Sequence, residues 1–423
     1  MTQARPSAME EWRTNWLLLV AAMAGISFAA IPTATLGLFM QPLQDEFGWS
    51  RTTISLGLTI FALTTTPLSP FAGALVDKVG PRALAVPGVA LAGLAFAAFS
   101  LLNASVAMWV AVWIAYSLAA LLIRSTVWNK IVSSAFVTSR GLAIALLLSG
   151  LSVAGAIAPI ITHGLMSGFG WRGAYLGLGL GWAGLAWILV ILFFREPRSP
   201  RTTASGAAAA DSRPIAAPGG LSGKEAMRNQ AIVRLAIAVL LSTMMSAAFS
   251  VHAVPIHVSL GASRGEAAGI VAFVGIGAMI GKILAGWIAD RVNSSFLPFA
   301  AFAMPTVGYL LLLAGKDSLP TLSAATFFIG MGSGAAVHMT MYLTTQYGGL
   351  RSFGTIYGSI AALMGLAAGV GPLAAGLVHD ATEAYTLFIM TAIPVVLLTG
   401  LLVFGLGPYP DFRPEPQPQP DAA

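Results

Sequence analysis

The chain has 423 residues, of which 57% are hydrophobic and only 9% charged, against roughly 25% charged in a soluble domain. It has no cysteine, which excludes disulfides and thiol chemistry. The net charge of +6 would suit a nucleic-acid partner, but the placement of the basic residues gives it another meaning.

Apolar runs long enough to cross ~30 Å of hydrocarbon as helices recur along the chain. Twelve are predicted: 16–40, 51–75, 83–103, 106–132, 140–166, 172–194, 231–257, 265–290, 296–315, 318–346, 353–378 and 384–406. The polar stretch from Met1 to Asn15 lacks the charged-then-small pattern of a cleaved signal. With the N-terminus taken as cytoplasmic, sixteen Lys and Arg fall inside, four outside (Arg51, Arg172, Arg264, Lys316) and two within spans. Basic residues stay on the untranslocated side, so both termini are expected to be cytoplasmic. The positive charge thus reflects topology and contact with anionic lipid, and no nucleic acid is expected.

Residues 195–230 are rich in Pro, Ser, Gly and Ala and are expected to form a disordered cytoplasmic linker. They divide the spans into an N-terminal half (1–194) and a C-terminal half (231–407), followed by a disordered tail (408–423). The halves repeat at a constant offset of 213: Pro42, Gly48, Ser50 and Arg51 recur as Pro255, Gly261, Ser263 and Arg264. Gly141 and Pro159 likewise recur as Gly354 and Pro372. Six spans separate the copies, so both halves enter the membrane with one polarity. The expected fold is an all-α membrane protein of twelve transmembrane helices. Its two six-helix halves are related by a parallel pseudo-two-fold along the membrane normal, with a site between them.

Two cations interrupt the apolar runs: Arg124 in the fourth span and Lys282 in the eighth. No Asp or Glu lies in the interior of any run. A charge at bilayer depth costs at least ~2.5 kcal/mol and persists facing a cavity, a partner or a ligand. An anionic ligand is therefore expected. The bland alternatives are snorkelling of Lys282 to the headgroups, and satisfaction of Arg124 by carbonyls of a broken helix, by Tyr116 or by Asn129. Arg124 aligns through the repeat with Val337, beside His338 in the tenth span. His338, His252 in the seventh span and Tyr342 are further candidate substrate contacts, each of which helix packing also explains. Nothing points to an enzyme. The GxxxxGK[ST] phosphate loop is absent, no Cys/His cluster suggests a metal, and no cofactor is expected.

Between the second and third spans stands Gly73-x-x-x-Asp77-Lys78-x-Gly80-x-Arg82, with a second copy at Gly286, Asp290 and Arg291. This loop resembles the signature of the major facilitator superfamily, in which it acts as a conformational latch. Gly73 is expected to let neighbouring helices approach closely. A narrower resemblance rests on three groups of residues. These are Glu46-Phe-Gly-Trp-Ser-Arg51, Arg140-Gly through Ser149-Gly150, and Gly371-Pro372-Leu-Ala-Ala-Gly376. Together they are similar to the bacterial branch of the monocarboxylate transporters, which neighbours the oxalate–formate antiporters.

That resemblance implies a secondary transporter of a small organic carboxylate, working by alternating access in a bacterial inner membrane as a monomer. Transport would be proton-linked or by anion exchange. It also implies that Lys282 holds the carboxylate, where the family usually carries Arg. The Asp usual one turn earlier is Ala278 here, which puts proton symport in doubt. An exporter of drugs or other apolar compounds on the same fold is the alternative.

Overall fold

A computed structural model describes residues 8–136, 138–195, 219–289, 291–292, 295–349, 351–410 and 412. Among them the chain is helical, with one isolated bridge between Gly220 and Gly349. The N-terminal half comprises α1 (Ala8–Ser27), α2 (Ile31–Phe47), α3 (Arg51–Val79), α4 (Pro81–Ala97), α5 (Val106–Leu121), α6 (Ser125–Ala135), α7 (Arg140–Leu176) and α8 (Ala183–Phe193). A short α9 (Gly223–Ala226) precedes α10 (Gln230–Ser259), α11 (Arg264–Ala289), α12 (Phe296–Ala303), α13 (Pro305–Ala314), α14 (Leu319–Gly348), α15 (Phe353–Thr382) and α16 (Thr386–Val403).

These helices realise the twelve-span architecture. Eleven continuous stretches among the described residues are long and apolar enough to cross a membrane. One of them, Arg140–Phe193, contains both the fifth and sixth spans. They part at Gly170, whose φ of 69° and ψ of 179° lie outside the helical region and suit a residue without a side chain. The first, fourth and ninth spans are each built from two helices in series.

Polar residues set the helix ends. Ser50 begins α3 with its hydroxyl accepting the Thr53 N–H, and Asn229 begins α10 by accepting from Ala231 and Ile232. The N-terminal half packs around a buried aromatic cluster of Phe96, Phe99, Trp109, Trp113, Tyr116 and Tyr175. Each such aromatic pair adds about 0.5–1.5 kcal/mol beyond its buried area.

Residues 219–230, expected to belong to a disordered linker, are folded. Ser222 and Glu225 form a reciprocal capping box at α9, and Leu221 N–H bonds to the Gly348 carbonyl at 2.9 Å. Tyr409, expected in a disordered tail, packs on Tyr342 and Tyr347. The remainder of linker and tail (196–218, 411 and 413–423) lies outside the described residues.

Candidate functional site

The fourth span breaks between α5 and α6, in a sequence without proline or glycine. Arg124 stands at the break in extended geometry (φ −61°, ψ 156°) as the residue that starts α6. Its carbonyl accepts the Val127 N–H at 2.9 Å. The Ile123 carbonyl, which the break deprives of that donor, is bonded by the Trp128 indole N–H at 2.8 Å. The Ile123 carbonyl is thereby satisfied without recruiting the guanidinium.

Arg124 lines a cavity of about 320 Å³ between the two halves. Its walls are Thr33 of α2, Phe61, Thr65, Thr66 and Ser69 of α3, and the small residues Gly358, Ala361, Ala362 and Gly365 of α15. Thr65 and Ser69 donate their hydroxyl protons to carbonyls one turn back in α3, at 2.8 and 2.6 Å. Pro70 has no N–H, so the Thr66 carbonyl loses its intrahelical donor. The cavity therefore carries one concentrated set of donors. Arg124 is the only charged side chain among the described residues that line it. It has no hydrogen bond or ion pair with any described residue. Tyr116 is instead buried in the aromatic cluster, and the Asn129 carboxamide oxygen has no partner. A guanidinium offers five N–H donors in a fork that matches a carboxylate.

On one side of the cavity the halves are sealed together. This distal face carries the 48–50, 260–263 and 383–385 connections. Here Asp380 of α15 accepts the backbone N–H groups of Arg51 and Thr52 at 3.1 and 2.9 Å, capping α3 of the other half. Deeper in, His252 of α10 is fully buried, and its Nε2 lies 2.9 Å from the Pro372 carbonyl and 3.2 Å from the Ser55 hydroxyl. A carbonyl only accepts, so Nε2 carries the proton. Nδ1 then accepts from the Tyr385 hydroxyl at 2.7 Å. Thr59 donates to the Gly369 carbonyl at 2.7 Å, and Gly37 lets α2 press against the Val251 backbone.

At the other, terminal face the halves stand apart. A side chain placed at Gly73, Gly141, Gly354 or Gly358 would meet no described atom within 4 Å.

The remaining candidates do not gather around Arg124. Lys282 is exposed on α11, makes no bond to a described residue and does not line the cavity. Its repeat counterpart Ser69 does. His338 packs against Gly286 of α11, where an added methyl would come within 3.1 Å of the ring. Tyr342 faces Tyr409 near the terminal face. His252 belongs to the distal seam.

The latch residues are likewise dispersed. The close packing expected of Gly73 is absent: a Cβ added there would meet no described atom within 4 Å. Lys78 is exposed near the end of α3, Arg82 donates to the Ile191 carbonyl at 3.0 Å, and Arg291 lies over the Trp287 ring at 4.3 Å. The side chain of Asp77 and the whole of Asp290 lie outside the described residues.

A profile of the Major Facilitator Superfamily matches residues 17–358 and, a second time, 235–423. The chain belongs to the major facilitator superfamily. It is accordingly a multi-pass membrane transporter and not an enzyme. Within the superfamily it is similar to human monocarboxylate transporter 11, at 23% identity over 95% of this chain and 85% of that protein. Human monocarboxylate transporter 6 is 26% identical over 91% and 78% respectively. An MFS-type transporter of Gibberella moniliformis is 27% identical over 88% and 84%. The fold superposes on a bacterial homolog of the human lysosomal transporter Spinster, in its inward-facing and unoccupied conformation, with a TM-score of 0.70. That match has 15% identity and covers 95% of this chain and 97% of that one.

Proposed function

We propose that this superfamily member carries a small organic carboxylate between its halves by alternating access, with Arg124 as the anchor for the anion. The observation that carries the reading is the partnerless guanidinium in the cavity between the halves. An uncompensated charge in a poorly solvated site is unfavourable, and a carboxylate received in bidentate fashion relieves it. The monocarboxylate transporters among its relatives support the substrate class. Acidic side chains are missing from the described cavity wall, which disfavours export of cationic drugs.

Lys282 is proposed as a second contact, made from the C-terminal half. Its register matches Ser69 on the cavity wall, and the family resemblance assigns it the carboxylate. The membrane is proposed to be a bacterial inner membrane with the terminal face in the cytoplasm. The open space around Gly73, Gly141, Gly354 and Gly358 at the terminal face then supports a cytoplasm-open state. Closure at that face would engage the latch around Gly73, Lys78 and Arg82 with its copy around Gly286 and Arg291. With Ala278 in place of the family Asp, anion exchange is favoured over proton symport.

The test is a thermal-shift panel of organic acids on the purified protein and on Arg124→Ala. A ligand at about 100 times its Kd stabilises the folded state by about 2.7 kcal/mol. The expected result is a group of monocarboxylates that raises the Tm of the parent by several degrees and leaves Arg124→Ala unmoved. An equal rise in both proteins would overturn the assignment.

A further inference from the structure

A second cavity, of about 270 Å³, lies at the distal face. The inter-half bonds of Ser55 with His252 and of Thr59 with Gly369 lie deeper along the same helices, between it and the Arg124 cavity. Its wall includes Gln41 of α2, Arg51 of α3, Arg264 of α11, and His379 and Glu383 at the end of α15. Both halves contribute. Arg51 and Arg264 are repeat counterparts, each the first residue of the second span in its half.

The two cations are incompletely used. Arg264 stands exposed at the rim and has no hydrogen bond or ion pair with any described residue. Arg51 donates from Nε to Gln44 at 3.1 Å and lies over the Tyr385 ring at 5.0 Å, but its Nη1 is buried without a partner. Nδ1 of His379 is also buried without a hydrogen bond, 3.6 Å from the Asp380 carboxylate. The acidic neighbours leave both guanidinium groups unpaired. Asp380 is committed to the backbone N–H groups of Arg51 and Thr52, and Glu383 forms no ion pair with either arginine.

We propose that this vestibule is a second anion site, in which Arg51 and Arg264 together hold a single carboxylate on its way to or from Arg124. The proposal rests on the carboxylate reading of the Arg124 cavity and extends it. Two guanidinium groups stand on the vestibule wall against one lining carboxylate, Glu383, with Asp380 held behind them on the Arg51 backbone. The free donors on the wall therefore suit an anion of low charge.

The test uses bromide, a monovalent anion that needs no knowledge of the substrate and is located by its anomalous scattering in crystals of the full chain. The expected result is one bromide between Arg51 and Arg264 and a second beside Arg124. In Arg264→Gln the vestibule's affinity for bromide should fall roughly tenfold or more, the size expected for losing a hydrogen bond to a charged group, read as lost occupancy in crystals soaked below the parent's half-saturation. Arg264→Lys, which keeps the charge, should retain it. Bromide beside Arg124 but not in the vestibule overturns the second site and spares the first. Bromide in the vestibule alone upholds the vestibule as an anion site but contradicts the Arg124 reading and with it the passage between the two, and bromide at neither place rejects both. A vestibule peak unchanged in Arg264→Gln also overturns the proposal.

Discussion

At matching places in the repeat the two halves carry different chemistry. The fourth span breaks at Arg124, whereas its counterpart α14 runs unbroken through Val337 from Leu319 to Gly348. Val337 lines a smaller cavity, of about 160 Å³, furnished with the hydroxyls of Ser242, Thr243, Ser246, Ser333 and Thr340 and no charge. One pair along the assignment is reversed: α3 has Ser69 where α11 has Lys282.

The contact strips between the halves differ too. Where α3 meets α15, Asp380 caps α3 and Thr59 bonds to Gly369. Where α7 meets α11, Gly275 and Gly265 nestle against Ser152, Ala156 and His163, with no hydrogen bond between the two helices among the described residues. Ser167, the counterpart of Asp380, bonds within its own helix to Gly164. A shared chain path thus supports an asymmetric machine. One strip is pinned by directional bonds and the other slides on small residues, while the anion anchor sits on one wall.

The largest effect is expected from exchanging the halves' assignments. Arg124→Val combined with Val337→Arg keeps the composition and moves the cation to unbroken α14. Affinity for a carboxylate found by the thermal-shift panel should fall at least about thirtyfold, the low end for losing one member of a buried charge pair. Recovery of parental affinity in calorimetry would mean that the halves are interchangeable.

Next, Gly369→Leu overfills the pinned strip against Ala62 and Thr59. Overpacking costs about 1–3 kcal/mol, so the population open at the distal face should rise about twentyfold. Since the chain lacks cysteine, spin labels at Ala104→Cys and Lys316→Cys report that opening directly as a longer distance. Asp380→Ala removes a helix cap worth about 1 kcal/mol, and the same labels should show about a fivefold shift. An unmoved distance distribution in both variants would show that this strip does not hold the face shut. The smallest effect on affinity is expected from Lys282→Ala: Lys282 offers a point-charge contact in place of the bidentate fork, so calorimetry should show a smaller loss than for Arg124→Ala.

The spans were legible in the sequence, and Arg124 stands out there because charge in an apolar run carries a cost that local composition reveals. The break at Arg124 was not legible. Leu122-Ile123-Arg124 contains no helix breaker, and the break is held by Trp128 from the following turn. Lys282 and Arg124 look alike as isolated charges, and only the packing of α3 against α15 separates a cavity wall from an exposed position. Asp380 and Tyr385 carry no signal in the sequence, since their partners lie 328 and 133 residues away. The folded end of the linker escaped notice because the Gly220–Gly349 bridge depends on a distant helix end.

The central claim is that Arg124 holds the carboxylate during transport. Uptake of a radiolabelled hit acid into proteoliposomes tests it most directly, with the parent, Arg124→Lys and Arg124→Ala reconstituted in parallel. Arg124→Ala should show no uptake at concentrations that saturate the parent, and Arg124→Lys should transport with a raised KM, because a point charge replaces the bidentate fork. Parental KM and rate in Arg124→Ala would contradict the account.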